Sequence, residues 1–482
     1  MSDPSLSHTF VHHRQLRHTL SSIWRYLLRS LLAIALFLTL LGQDPVLAES
    51  TSCNTLLGWW ETPALEPLFT FNAPTQDCDF QQWSWTAFIH FMQKTGPEGK
   101  PLFLSLPTPQ DLERKLSATE TIEETAAPTE LMLKPRFQKP GLAFRRRGDD
   151  LNSIEQAGSD GILVSQNSRV IYYSIHMNPE YFEFAKAHMG NENYNKTSPT
   201  TNFPIDSTVL KASWMVVDDA AKLPKDTFTT KATIQLLEED PAHKGQLKTS
   251  KLTKSGVTVA LLGIHVVGAV KDHPEFIWAT FEQKNNAPNL PAGTVPGSNQ
   301  SVNNQQFTLY KAGTKAQASN QKPTAYSLDF KTQKAGPVTN VFRQFAYGGA
   351  EFSSESPTVT GQSRVDDINS INSNVQAAIP EHSDQIDPVF ANYNLIGSVW
   401  LDSSQTPLEP GLDLFANSIG SITLANSTME TFAQSIGTNC FSCHTTQPFP
   451  TESKFADKNI AISHIIAGSL KQPKATNEAS LE

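Results

Sequence analysis

Residues 257–267 read VTVALLGIHVV. The run lacks the alternation of apolar and polar positions that marks a strand with one wet face, and it is rich in β-branched residues. It therefore predicts a strand covered on both sides, at the centre of a sheet. Further strand patterns fall at Val209–Val217, Thr227–Leu237 and Glu275–Phe281. Upstream, Ile162-Leu163-Val164 and Val170–Tyr173 flank the polar turn Ser165–Ser168, the pattern of a hairpin. Residues 80–93 instead repeat at helical spacing: Trp85, Phe88, Ile89 and Met92 share one face, and His90 lies off it as a surface or cap histidine. A short helix is expected after Asn178-Pro179, with proline in its first turn. Residues 364–400 return to helix and then strand, ending in NLIGSVW (394–400). The expected fold class is α+β: a β-rich body with antiparallel strands over residues 49–425, then a short helical C-terminal segment over 426–482.

Two regions break this pattern. Residues 95–160 are rich in Pro, Glu, Thr and Gly and read as irregular; Arg145-Arg146-Arg147 beside Asp149 and Asp150 reads as a solvated loop with local ion pairs. Residues 284–335, rich in Asn, Gln, Ser, Pro and Lys, read as a long excursion. Glu238-Glu239-Asp240 and Asp366-Asp367 read as exposed loop charges.

The chain has 482 residues, room for a large core, and a formal net charge of −9. That charge argues against nucleic acid and anionic membrane surfaces as partners. Residues 1–48 have the build of an export signal: Arg14, Arg17, Arg25 and Arg29, then an apolar run from Leu31 to Leu41, then Val46-Leu47-Ala48 as a cleavage site. The apolar run is short for a bilayer core of ~30 Å, so an uncleaved anchor is the lesser reading. The mature chain is expected in the periplasm or outside the cell, with no integral membrane segment. In that compartment Cys53 and Cys78 would pair, stabilising the fold by roughly 3–4 kcal/mol; two separate buried thiols are the alternative.

The remaining cysteines stand in Cys440-Phe441-Ser442-Cys443-His444. Two thiols separated by two residues can both add to the vinyl groups of one haem, and the adjacent histidine can reach the iron. The spacing predicts one covalent haem c per chain, held by Cys440 and Cys443 with His444 as proximal ligand. Asn426-Ser427-Thr428 followed by Met429, Phe432, Ala433 and Ile436 predicts a helix leading into the motif, ended by Gly437. A zinc site of Cys440, Cys443, His444 and His464 is disfavoured, because structural zinc uses two separated ligand pairs. A redox disulfide is disfavoured because the flanks show no βαβ setting. For the iron's other side, His464 is ranked ahead of His265; Met177, Met189, Met215, Met429 and water complete the possibilities. A segment as short as 426–482 cannot cover a porphyrin alone, so the body must supply the rest of the pocket.

Several stretches resemble a group of large bacterial secreted proteins, the mono-haem cytochrome c family. They are WSWTAFIHF (83–91), VIYYSIHMN (170–178), LKASWMVV (210–217), GIHVVGAVKDHPEFIWATFEQKNNAP (263–288), YNLIGSVW (393–400) and LANSTMETFAQSIGTNCFSCH (424–444). The resemblance implies covalent haem at Cys440, Cys443 and His444, and it implies no particular reaction. His265 falls inside its longest stretch. Three functions follow. The first is electron transfer to an unidentified redox partner protein. The second is a haem-dependent peroxidase or oxidase with an open iron position. The third is a haem-gated binding or sensor protein. No phosphate-cradling glycine loop, nucleophile elbow or paired metal-binding histidines appear in the sequence.

Overall fold

The computed structural model describes residues 77–112, 131–135, 161–218, 226–345, 347–349, 361–402, 407–424, 426–434, 439–448 and 454–470. The expected export signal, Cys53 and the Arg145–Arg147 run lie outside the described residues.

The described residues contain ten strands: β1 (Leu131–Pro135), β2 (Ile171–Met177), β3 (Thr208–Val216), β4 (Thr229–Glu239), β5 (Leu247–Val270), β6 (His273–Gln283), β7 (Ser327–Asp329), β8 (Lys334–Gly336), β9 (Tyr393–Leu401) and β10 (Ser418–Gly420). Eight of them form one sheet in the order β10-β9-β6-β5-β3-β2-β1-β4, with β4 also paired to β5. The ladders are antiparallel except β1–β4. The α+β class with a mostly antiparallel sheet therefore holds.

The 24-residue β5 organises the sheet. Along one edge it pairs with β3 over 259–268. Along the other it pairs first with β4, over 247–260, and then with β6, over 263–270. Strands β5, β3, β2, β1 and β4 thus close a ring, and β6, β9 and β10 extend an open sheet from the second half of β5. Residues 251–256 of β5 are exposed, whereas burial becomes nearly continuous from Val257 onward. The VTVALLGIHVV run is the part covered on both sides.

Two glycines show what covers it. A Cβ at Gly268 would lie 2.7 Å from the Trp83 ring, and one at Gly263 would lie 2.7 Å from Thr428 Oγ1. Trp83 belongs to helix α1 (Asp77–Met92), which is buried around most of its circumference. Trp85 Nε1 of α1 donates to Asn372 on helix α4 (Gly361–Ala378), and Asn372 also bonds both backbone groups of Leu395 on β9. Helices α1 and α4 therefore close one face over the largest apolar cluster. The other face carries helix α2 (Pro179–His188), which starts at Pro179 as expected and is capped by Asn178, helix α3 (Asn191–Lys196) and the C-terminal segment. Phe441, Ile460, Ile462 and Ile466 share a second apolar cluster there with Phe276, Trp278 and Tyr181.

Several expectations change. Strand β1 lies inside the stretch read as irregular. His90 is half-buried in the last turn of α1, where burial pushes its imidazole down to about 4. Glu238 and Glu239 end β4, and Asp366 and Asp367 stand on α4. The 284–335 excursion holds the β7–β8 hairpin, and Val302, Tyr310, Ala316 and nearby Phe342 form a small cluster of their own. No helix leads into the cysteine motif within the described residues 426–434, which are turns. Of the polar residues expected to cap that helix, Asn426 accepts locally from Thr428 N, whereas Ser427 donates its N–H and hydroxyl to Glu282, and Tyr173 donates to the Thr428 carbonyl. Among the described residues of the C-terminal segment, helical structure is limited to two 3₁₀ turns and the one-turn helix α5 (His464–Gly468). Among the described residues no helix is long and apolar enough to cross a membrane.

Candidate functional site

The cysteine motif forms a 3₁₀ turn, Cys440–Ser442. Asn439 caps it: its side chain accepts from Phe441 N at 2.9 Å, and its own N–H donates to Ser442 Oγ at 2.9 Å. The turn is pinned by Phe441, which is fully buried and meets the Trp278 ring edge-on, centroids 5.9 Å apart. With Phe441 turned inward, Cys440 and Cys443 line the adjacent cavity, and neither is in a disulfide. Burial, and secondarily the charge of Glu430, pushes the Cys440 thiol well up, so it stays protonated.

His444 follows directly, its ring 4.2 Å from that of Trp278. Its Nδ1 lies 2.9 Å from the Ile462 carbonyl, which can only accept, so Nδ1 carries the proton. Burial first, and the neighbouring His464 next, hold this imidazole well below its usual range, hence neutral. Nε2 is then the nitrogen with the lone pair.

The segment supplying that carbonyl is itself tied down. The Lys458 ammonium donates to the carbonyls of Tyr194 (2.7 Å) and Thr197 at the end of α3. Ser463 caps α5, accepting from Ile466 N at 3.2 Å, and its hydroxyl meets Tyr181 OH of α2 at 2.6 Å. His464 begins α5, and its ring lies flat on His444, centroids 3.8 Å apart and planes 16° apart. Its Nε2 donates to the Cys443 carbonyl at 2.9 Å.

The sheet forms the opposite wall. Register aligns two rows of side chains on one face. One row runs Ile175, Lys211, His265, Thr280; the next runs Met177, Val209, Val267, Trp278. Glu430 reaches this wall from the C-terminal turns: its Oε1 accepts from His265 Nε2 at 3.0 Å and its Oε2 from Asn426 N at 3.0 Å. Between wall and turn lies a cavity that opens to solvent on one side. Apart from Lys211, His265, Glu430 and the motif, the lining is mainly apolar or aromatic, including Ile175, Val209, Phe276 and Ile465.

Cys440, Cys443, His444, His265 and His464, separated by up to 199 positions, thus line one cavity. Met177, Met189, Met215 and Met429 are buried elsewhere and do not line it. Cys78 is disulfide-bonded, and Cys53, its expected partner, lies outside the described residues. Lys211, Trp278 and Glu430 escape a reading of the sequence; the periodicity of β3 places Lys211 on the same face as Val209, and only the register adds His265. Among the described residues, no group of three or more His, Cys, Asp and Glu side chains is disposed to hold a metal ion.

The donor chemistry fits a covalently held haem: two thiols, an imidazole with Nδ1 satisfied and Nε2 open for a metal, and apolar walls around them. No protein-family model, no curated protein and no solved structure matches the chain.

Proposed function

We propose that this chain is an exported mono-haem c-type cytochrome that transfers electrons. One observation carries the reading: two cysteines outside any disulfide and a histidine with its Nδ1 held by a backbone carbonyl line a single, largely apolar cavity. Each thiol would add its S–H across one vinyl group, making one C–S and one C–H bond, so attachment needs no electron acceptor. Bound haem would supply a one-electron centre. His444 would bind the iron through Nε2. His265 is our choice for the opposite position: it stands on the doubly covered strand, and rigid elements hold metal ligands best. Glu430 engages its Nε2, as carboxylates do for ligating histidines, which leaves Nδ1 for the iron. With both positions filled the iron is closed to small substrates, which favours electron transfer over peroxidase or oxidase chemistry. Export rests on the pattern of residues 1–48 and on the disulfide at Cys78.

The test is chemical. Protein made in a host that attaches haem c, then denatured and extracted with acidified organic solvent, should keep one haem per chain. Haem that extracts freely refutes the reading.

A further inference from the structure

We infer that His464 is a positioning residue for His444, on the same side of the haem, and not the ligand opposite it; the inference rests on the haem reading above. Two ligands of one iron face each other across the metal. Here the rings are in van der Waals contact, nearly parallel, with centroids 3.8 Å apart, so no gap for a metal exists between them. The polar contacts form a reciprocal pair: His444 donates to Ile462 of the second segment, and His464 donates to Cys443 of the first. Each imidazole bonds the backbone next to the other. The second segment has little slack, because Ser463 is held by Tyr181 while Ile465 and Ile466 are buried. Stack and tethers together fix the plane of His444 about its side-chain bonds, which sets how its Nε2 is presented.

The test uses the full chain with three changes. His464→Gln keeps a side-chain donor toward the Cys443 carbonyl, His464→Phe keeps a flat ring without the donor, and His464→Ala keeps neither. In haem-loaded protein all three should keep the wild-type spin state and should bind carbon monoxide no better than wild type. His464→Ala should broaden the electron paramagnetic resonance signal that reports the axial imidazole plane and shift the midpoint potential, and Gln or Phe should restore part of both. In haem-free protein, nuclear magnetic resonance should show the His444 Nδ1–H protected from exchange in wild type and lost in His464→Ala, and Cys443 should be alkylated severalfold faster. A high-spin, carbon-monoxide-binding His464→Ala protein makes His464 the ligand and overturns the proposal. Variants indistinguishable from wild type in every readout overturn it as well. Absence of covalent haem in wild type defeats the haem reading separately, and the haem-free arm still decides the positioning role.

Discussion

Phe441 sits between the two thiols and points away from the cavity they line, and its truncation tests how the attachment turn is held. The side chain is fully buried and meets Trp278 edge-on, in a cluster that also contains Phe276, Ile460 and Ile462. Phe441→Ala should cost about 3–5 kcal/mol, the usual range for emptying a buried phenylalanine site. The edge-to-face pair accounts for about 0.5–1.5 kcal/mol of that. Phe441→Leu, which refills most of the volume, should cost about 1 kcal/mol. Denaturant unfolding of haem-free protein measures both as shifts in midpoint at unchanged slope. Because the loss falls on the 3₁₀ turn that aims Cys440 and Cys443, haem loading in the Ala variant should drop more than in the Leu variant. A destabilisation below about 1 kcal/mol for Phe441→Ala would show that the turn is not anchored on β6, and the positioning argument would fail with it.

Two further outcomes are expected. His265→Ala in haem-loaded protein should convert low-spin to high-spin haem and admit carbon monoxide; an unchanged spectrum removes His265 as the second ligand, and a wild type already high-spin and consuming peroxide turns the reading toward an enzyme. His176, wholly buried against Phe103, has its imidazole lowered from the ordinary 6.5 to about 4 by desolvation. The unfolded state binds this proton more readily, so the contribution is full above about pH 6.5 and falls away toward pH 4, by roughly 3 kcal/mol. Unfolding midpoints across that window should slope less steeply for His176→Gln; an identical slope assigns the acid sensitivity to other groups.

What could be read in advance follows the length scale of each signal. The β5 core is legible because residues 257–267 are apolar on both faces apart from Thr258 and His265. Helix α2 is legible because Asn178 and Pro179 mark its start chemically. Strand β1 gave no such signal: five residues, LMLKP, among Glu, Pro and Thr are too few to set a period. The stripe Met429, Phe432, Ala433, Ile436 has true helical spacing, yet Tyr173 takes the Thr428 carbonyl that a helix would need, and it lies far upstream in sequence. The cavity was legible only at its rim. Cys440, Cys443 and His444 are neighbours in sequence, whereas Lys211, His265, Trp278 and Glu430 meet through strand register and a long-range turn. The ranking of His464 over His265 rested on closeness along the chain, and closeness is what puts His464 beside His444 instead of across from it.

The double use of β5 has a consequence for error tolerance. A strand slipped by one residue would turn His265 toward α1 and present Ile264 to the cavity, trading a polar wall for a greasy one. On an ordinary edge strand such a slip breaks one ladder. Here it must break three at once, to β3, β4 and β6, and the ring through β1 cannot relax to follow. The same slip would drive the space now left by Gly268 away from the Trp83 ring and put a side chain in its place. Closure of the ring therefore behaves as a ratchet with one permitted tooth, and strands β1 and β4, which do not line the cavity, help to choose which atoms face it.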